Sequence, residues 1–142
     1  VSWLGVKDSD DFTRLTSYDL TWRDDARRFE FITLPYQDYA GMNASLELIH
    51  ELGPADVSQH ALRLAQIIVD WALERDDVEL VTPADRSRRA AIVSVRPRDA
   101  KAASARLTAA NVAHSVREGA IRLSPHFYNT EEEVRRVLQL MS

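Results

Sequence analysis

The side chains most often used to bind metal ions or to move protons are scattered along this chain. Its four histidines are His50, His60, His114 and His126. None has a histidine partner at i+4, and no Cys/His spacing of a metal site occurs, because the chain contains no cysteine. The sequence therefore predicts surface or hydrogen-bonded histidines and no metal centre.

Three arginines, Arg86, Arg88 and Arg89, form the densest basic run of the chain. Clustered guanidinium groups can bind an anion. However, the run lies between two predicted strands, where charged residues usually form a solvated turn. The solvated turn is the reading that we adopt from the sequence.

Arg122 has a more specific context. It is flanked by Ile121 and Leu123 near the end of a predicted strand, and residues 124–130 follow with an early proline. Strand alternation places Arg122 on the face opposite its two apolar neighbours. A guanidinium at a strand end is suited to bind a carboxylate through two parallel hydrogen bonds. The alternative from spacing alone is an ion pair with Glu118 or another local acid.

Reactions that need a lysine amine have two candidates, because 16 of the 18 basic residues are arginine. Lys7 follows Gly5 and Val6, and Lys101 lies in an alanine-rich segment. The missing cysteine excludes disulfides, thiolate metal clusters and a cysteine nucleophile.

The elements that must position these residues follow from hydrophobic periodicity. Residues 1–34 are irregular, with short strands expected near 18–22 and 28–33. The remaining elements are helices at 39–52 and 54–75, strands at 78–82 and 90–95, a helix at 100–110, strands at 112–116 and 120–123, and a final helix. Thr130 and Glu133 have capping-box spacing at the start of that helix. This order predicts an α+β fold, in which about four mostly antiparallel strands carry helices on one face.

Composition narrows the class of protein. The chain has 142 residues, 45% of them hydrophobic, and a net charge of −4. That charge is the wrong sign for a broad nucleic-acid interface. No segment approaches the length of a membrane helix, and no signal peptide is visible. We expect a cytoplasmic domain without nucleic-acid or membrane partners.

Residues 121–133, which read Ile-Arg-Leu-Ser-Pro-His-Phe-Tyr-Asn-Thr-Glu-Glu-Glu, closely resemble the C-terminal signature of class V aminotransferases. This pyridoxal-phosphate (PLP) family of fold type I also includes cysteine desulfurases, kynureninases and epimerase-like proteins. Residues 28–35 are similar to the family's Arg-x-Phe-Glu-x-Gly-Thr segment, with Ile32 in place of its glycine. The resemblance covers nearly the whole chain.

The resemblance implies a role for two residues. Arg122 matches the arginine that binds the α-carboxylate of the amino-acid substrate. Thr33 matches the residue that contacts the cofactor phosphate, typically of the neighbouring subunit in a homodimer. Neither lysine matches the family's Schiff-base lysine, so no catalytic residue is expected in this chain. By this resemblance, residues 1–38 are a connecting segment that contacts a missing N-terminal large domain or a partner subunit. Residues 39–142 are the small C-terminal domain, inactive on its own.

Three functions stay open at this point. The resemblance favours a PLP-dependent aminotransferase, and a lyase or epimerase of the same family is the nearest alternative. The desulfurase branch is disfavoured, because residues 118–120 leave no room for its cysteine-bearing loop. A non-catalytic module that binds amino acids is the alternative from another class of protein, since small α+β domains also serve that role.

Overall fold

The computed structural model describes residues 5–14, 16, 20–30 and 35–142. The chain divides into two compact units, Val1–Glu47 and Leu48–Ser142. The division falls inside a helix, whereas the sequence analysis placed the boundary after residue 38; that boundary stays a prediction. Within the described residues, no helix is both long and apolar enough to cross a membrane.

In the described part of the first unit, residues 5–7 pair with residues 21–23. Val6 forms an isolated antiparallel bridge with Trp22. Gly5 is required there, because a Cβ atom at this position would collide with the carbonyl oxygen of Arg28. The strand expected near 28–33 is not formed in its described part, since Ala26–Phe29 is a 3₁₀ helix capped by the Asp25 carboxylate. Part of each strand expected in this unit lies outside the described residues.

Two helices connect the units and begin the second one. Helix α1 spans Tyr36–Leu52 and contains no buried residue. Helix α2 spans Pro54–Leu73, with the proline in its first turn, where a missing N–H costs nothing. The apolar residues that recur at helical spacing along α2 are buried from Ala61 to Ala72, whereas Val57, near the start of the helix, is half-buried.

The second unit contains a four-stranded sheet. Its strands are β1 (Val78–Leu80), β2 (Val93–Pro97), β3 (Ser115–Arg117) and β4 (Ala120–Leu123). The strand order is β1-β2-β4-β3, and all three pairings are antiparallel. Helix α3 (Ala100–Ala109) lies between β2 and β3 in the chain, and α4 (Glu131–Met141) follows β4.

The helices pack on one face of this sheet. Helices α2 and α4 contact each other, α3 contacts α4, and α2 and α3 contact the strands. The core between the two layers contains Leu64, Ile68, Val69, Val93, Val95, Leu107, Ile121 and Leu138. The predicted fold class, an α+β domain with helices on one face of a four-stranded sheet, is confirmed.

Two strands lie a few residues later than the hydrophobic pattern predicted. The strand expected at 112–116 begins only at Ser115, because residues 111–114 complete the end of α3. Asn111 adopts a left-handed conformation with φ 56°, and the Val112 amide donates to the Leu107 carbonyl. The strand expected at 90–95 begins at Val93, because Val93 is the first of its residues to pair with β4, where it stands opposite Leu123.

Candidate functional site

Arg122 lies in β4 as expected from strand alternation. Its neighbours Ile121 and Leu123 are buried in the core, whereas Arg122 is exposed on the other face of the sheet. Ser94 of β2 and Ser115 of β3 stand directly opposite it on the two adjacent strands. Because serine side chains are short, they flank the base of the arginine without covering its guanidinium group.

The Arg122 guanidinium group has no partner in the second unit, all of which is described. No hydrogen bond or ion pair joins it to Glu118 or to any other residue from Leu48 to Ser142. The alternative of a local ion pair is therefore not what the structure shows. An exposed arginine that makes no intramolecular contact retains its five donors for a ligand.

The segment after β4 is held by Asn129. The Asn129 Oδ1 atom accepts a hydrogen bond from the His126 amide at 3.0 Å, and the Asn129 amide donates to the His126 carbonyl at 3.0 Å. The Asn129 carbonyl also accepts a hydrogen bond from His60 Nε2 of α2 at 2.9 Å. These contacts fix the turn that follows the arginine strand and tie it to α2. Neither the role of Asn129 nor that of His60 is predicted from the sequence, although an asparagine one residue before a helix cap is a recognisable signal.

Helix α4 begins at a complete capping box. The Thr130 hydroxyl accepts a hydrogen bond from the Glu133 amide at 3.2 Å, and Glu133 Oε2 accepts one from the Thr130 amide at 2.9 Å. The Thr130 amide also holds the pKa of the Glu133 carboxyl below its ordinary value. The capping box predicted from the sequence is confirmed, and it fixes the far end of the 124–130 segment.

Arg122 lines a cavity of about 580 Å³ beside this segment. The walls come from the α3–β3 connection, the end of β4, the turn at Tyr128 and Asn129, and the first two turns of α4. Arg136 adds a second cationic side chain, and the one acidic residue in the wall, Glu133, is engaged in the capping box. The cavity is therefore suited to an anionic ligand with hydrogen-bonding groups.

Two other histidines, His60 and His114, are held by hydrogen bonds of the fold. His114 Nδ1 donates to the Val112 carbonyl at 2.9 Å, so its Nε2 accepts from the Ser104 hydroxyl at 2.7 Å. His60 accepts a hydrogen bond from Arg63 at Nδ1 and donates from Nε2. The described residues contain no cluster of three or more His, Cys, Asp or Glu side chains that could hold a metal ion.

Neither lysine has the environment of a Schiff-base lysine. Such a lysine needs a lowered pKa to be nucleophilic at neutral pH. The Lys7 ammonium is 2.8 Å from the Asp24 carboxylate, and this hydrogen-bonded ion pair raises the pKa of Lys7. Lys101 is an exposed residue in the first turn of α3. The described lysines therefore do not fit covalent attachment of PLP, whereas the exposed guanidinium of Arg122 can bind a carboxylate. Thr33, the predicted phosphate contact, lies outside the described residues.

Comparison with known proteins identifies the family. The family model of the kynureninase C-terminal domain matches residues 57–141, which include α4, the sheet, and all but the first turn of α2. Over 127 residues, or 89% of the chain, the sequence is 30% identical to a protein of Bacillus subtilis (strain 168) named as the uncharacterized aminotransferase YcbU. The chain spans about a third of the length of that relative, 34%. The chain thus belongs to the family of kynureninase C-terminal domains, which confirms the predicted resemblance to the C-terminal domain of a class V aminotransferase-like enzyme.

Proposed function

We propose that this chain is the substrate-anchoring C-terminal part of a longer PLP-dependent aminotransferase, in which Arg122 binds the α-carboxylate of the amino acid. The observation that carries the proposal is the unpaired guanidinium of Arg122 at a strand end, lining a cavity with cationic character. The family match and the aminotransferase relative, about three times as long as the matched segment, support it.

The contribution of this chain is to position the substrate. A planar guanidinium that holds both carboxylate oxygens fixes the amino acid in two directions and so orients the bonds at its Cα. PLP, when bound, supplies the electron sink for the chemistry at that carbon. The 124–130 segment, held by Asn129 and the capping box, keeps the cavity wall beside Arg122 in place.

The proposal extends to the cofactor and to the subunit arrangement. The Schiff-base lysine and most of the PLP site lie in an N-terminal domain outside this chain. Thr33 contacts the cofactor phosphate of a second subunit in a homodimer, through its hydroxyl group. The family resemblance around residues 28–35 supports this assignment. The same resemblance supports class V of the aminotransferases.

The carboxylate assignment is tested in the longer protein by Arg122→Gln, with Arg117→Gln as the matched control. Arg117 is an exposed arginine in the adjacent strand β3, opposite Ala120. Loss of a charged hydrogen-bonding partner costs about 1.5–3 kcal/mol. We therefore expect kcat/KM for the amino acid to fall about 10- to 150-fold in Arg122→Gln and to stay near wild type in Arg117→Gln.

Cofactor content separates substrate anchoring from damage to the PLP site. The PLP absorbance of Arg122→Gln should equal that of the wild type, because the lesion affects the carboxylate. Equal losses of kcat/KM in both variants would contradict the assignment of Arg122.

The fragment's inactivity is tested with the 142-residue chain and equimolar PLP. Because Lys7 is held in an ion pair with Asp24 and Lys101 is exposed on α3, we expect no protein-bound PLP absorbance and no transamination. Borohydride reduction followed by mass spectrometry provides the readout. A single stoichiometric PLP adduct at Lys7 or Lys101 would refute the placement of the reactive lysine outside this chain.

The alternative function, a non-catalytic module that binds amino acids, predicts a different result for the 142-residue chain. The chain would then bind a free amino acid without PLP, and calorimetric titration would detect that binding. No saturable binding that is lost in Arg122→Gln is expected if the α-carboxylate site is completed only by the cofactor and the N-terminal domain.

A further inference from the structure

The three arginines of the run at residues 86–89 differ in their exposure to solvent. Arg86 and Arg88 belong to a short 3₁₀ helix and are exposed, in agreement with a solvated turn. Arg89 is partly buried, and one of its terminal nitrogens, Nη2, donates to the side-chain oxygen of Gln66 on α2. The solvated-turn interpretation is therefore wrong for Arg89.

Two of the three Arg89 guanidinium nitrogens have no acceptor. The Nε and Nη1 atoms are buried and make no hydrogen bond in the structure. Arginine stays protonated at all accessible pH values, so it cannot relieve this state by losing a proton. A buried cationic donor without a partner costs free energy, and native proteins rarely keep one unless another group satisfies it.

His126 has the same deficit and lines the same cavity as Arg89. Its Nδ1 atom is buried without a hydrogen-bond partner. Arg89 and His126 line one cavity of about 510 Å³, located between the start of α2, the end of α1 and the residues before β2. Three buried nitrogens that lack partners thus belong to two side chains of a single cavity.

The charge of this cavity has one sign. No aspartate or glutamate is among its lining residues, all of which lie in the described range 48–142. Apart from Arg89 and His126, its only polar side chain is Ser58 on α2. The group that satisfies Arg89 must therefore come from outside these residues, and an anion does so at the lowest cost.

The remainder of the wall is apolar. Ile49, Val57, Leu62 and Ala91 are among the residues that form it. A volume of about 510 Å³ lies in the range of small-molecule sites, which combine apolar walls with a few convergent polar groups. An inorganic anion would leave this apolar surface in contact with water, whereas an organic acid with an apolar body would cover it.

We propose that this cavity is a binding site for a small organic carboxylate with an apolar body, whose carboxylate contacts Arg89 and His126. The site is separate from the one at Arg122 and stands independently of the aminotransferase proposal. The two cavities share no lining residue. Arg122 precedes the 124–130 segment, and His126 lies within it.

The test uses the 142-residue chain and a matched pair of probes, 4-methylpentanoate and the neutral 4-methylpentanamide. These molecules have the same apolar body and differ in the charge of the head group. Two-dimensional NMR follows the Arg89 Nε–H and the His126 ring signals. We expect saturable shifts with the carboxylate and at least a 10-fold weaker response to the amide, because a charged hydrogen-bonding partner is lost. Inorganic phosphate at equal ionic strength should give no saturable shift.

Arg89→Gln and Arg88→Gln form the matched pair of variants. The first should weaken binding of the carboxylate at least 10-fold, and the second, which changes an exposed arginine one residue away, should leave it unchanged. If Arg89→Gln loses its fold by circular dichroism, His126→Phe replaces it and should give the same loss. Equal affinity for the carboxylate and the amide, or the absence of saturation in the wild type, would overturn the proposal. Water would then be the partner of these nitrogens.

Discussion

Thr130→Ala tests whether the capping box holds helix α4 in place. The substitution removes the hydroxyl that accepts the Glu133 amide hydrogen bond, and it leaves that amide unsatisfied at the start of α4. Helix α4 contributes Val134, Leu138 and Met141 to the buried side of the second unit. Fraying of its first turn therefore weakens core packing as well as the local hydrogen bond.

The magnitude follows from the position. Replacing an N-cap threonine with alanine costs about 0.5–2 kcal/mol, typically about 1. The unit that α4 stabilises runs from Leu48 to Ser142. For a domain of this size, 1 kcal/mol lowers Tm by about 4–8 °C.

Thermal unfolding followed by circular dichroism measures the effect, and Thr108→Ala is its matched control. The Thr108 hydroxyl donates to the Ser104 carbonyl at 3.0 Å inside α3, a bond that does not cap a helix end. Alanine has the higher helix propensity there, so Tm should stay constant or rise slightly. The double variant Thr130→Ala/Glu133→Gln should lose clearly less than the sum of its parts, because the two residues bind each other reciprocally. Equal Tm changes in Thr130→Ala and Thr108→Ala would refute the structural role of the capping box.

Three further outcomes follow from other contacts. The Thr130 amide lowers the pKa of Glu133, so the stabilisation by the Glu133 carboxylate is complete above about pH 4.5 and is lost as pH falls through the lowered pKa. Between pH 7 and pH 3, the Tm of the wild type should therefore fall towards that of Glu133→Gln. A constant difference in Tm between the two proteins would contradict this linkage. Leu107→Ala should cost about 2–5 kcal/mol in urea unfolding, because Leu107 is fully buried, whereas Leu73→Ala, at a side chain 60% exposed, should change stability by less than about 0.5 kcal/mol. Glu118→Asn should raise stability by about 0.5 kcal/mol, because Glu118 has φ 51° in a two-residue hairpin turn where asparagine is favoured; a lower Tm would count against this turn geometry.

Helix positions were predictable to within a few residues because their signals are local. The proline at the start of α2, the Asp99 cap of α3 and the box at Thr130 each act within four residues of the chain. The strands were less predictable, since their limits depend on distant partners. The β2 strand starts where β4 pairs with it, and no pattern within residues 90–95 encodes that register.

The exposure of helix α1 was not predictable from its sequence. Met42, Leu46, Ile49 and Leu52 recur at helical spacing, yet α1 has no buried residue in the structure. Periodicity identifies the face of a helix that is apolar; it does not identify what that face contacts.

The functional residues were likewise predictable only in part. The exposure of Arg122 followed from strand alternation, a rule with a period of two residues. The burial of Arg89, with two of its three guanidinium nitrogens unpartnered, did not follow, because the sequence does not distinguish Arg89 from Arg86 and Arg88. Only the position of Gln66 on α2 and the course of the loop distinguish the third arginine from the first two.

The short outer strands of the sheet have a consequence for self-association. Strands β1 and β3 form the two edges, and each is three residues long. Each also carries a charged side chain, Glu79 in β1 and Arg117 in β3. An edge this short offers few unpaired amide and carbonyl groups to a second sheet, and charged side chains on edge strands discourage edge-to-edge pairing. Both features therefore disfavour growth of the sheet by addition of strands from another molecule.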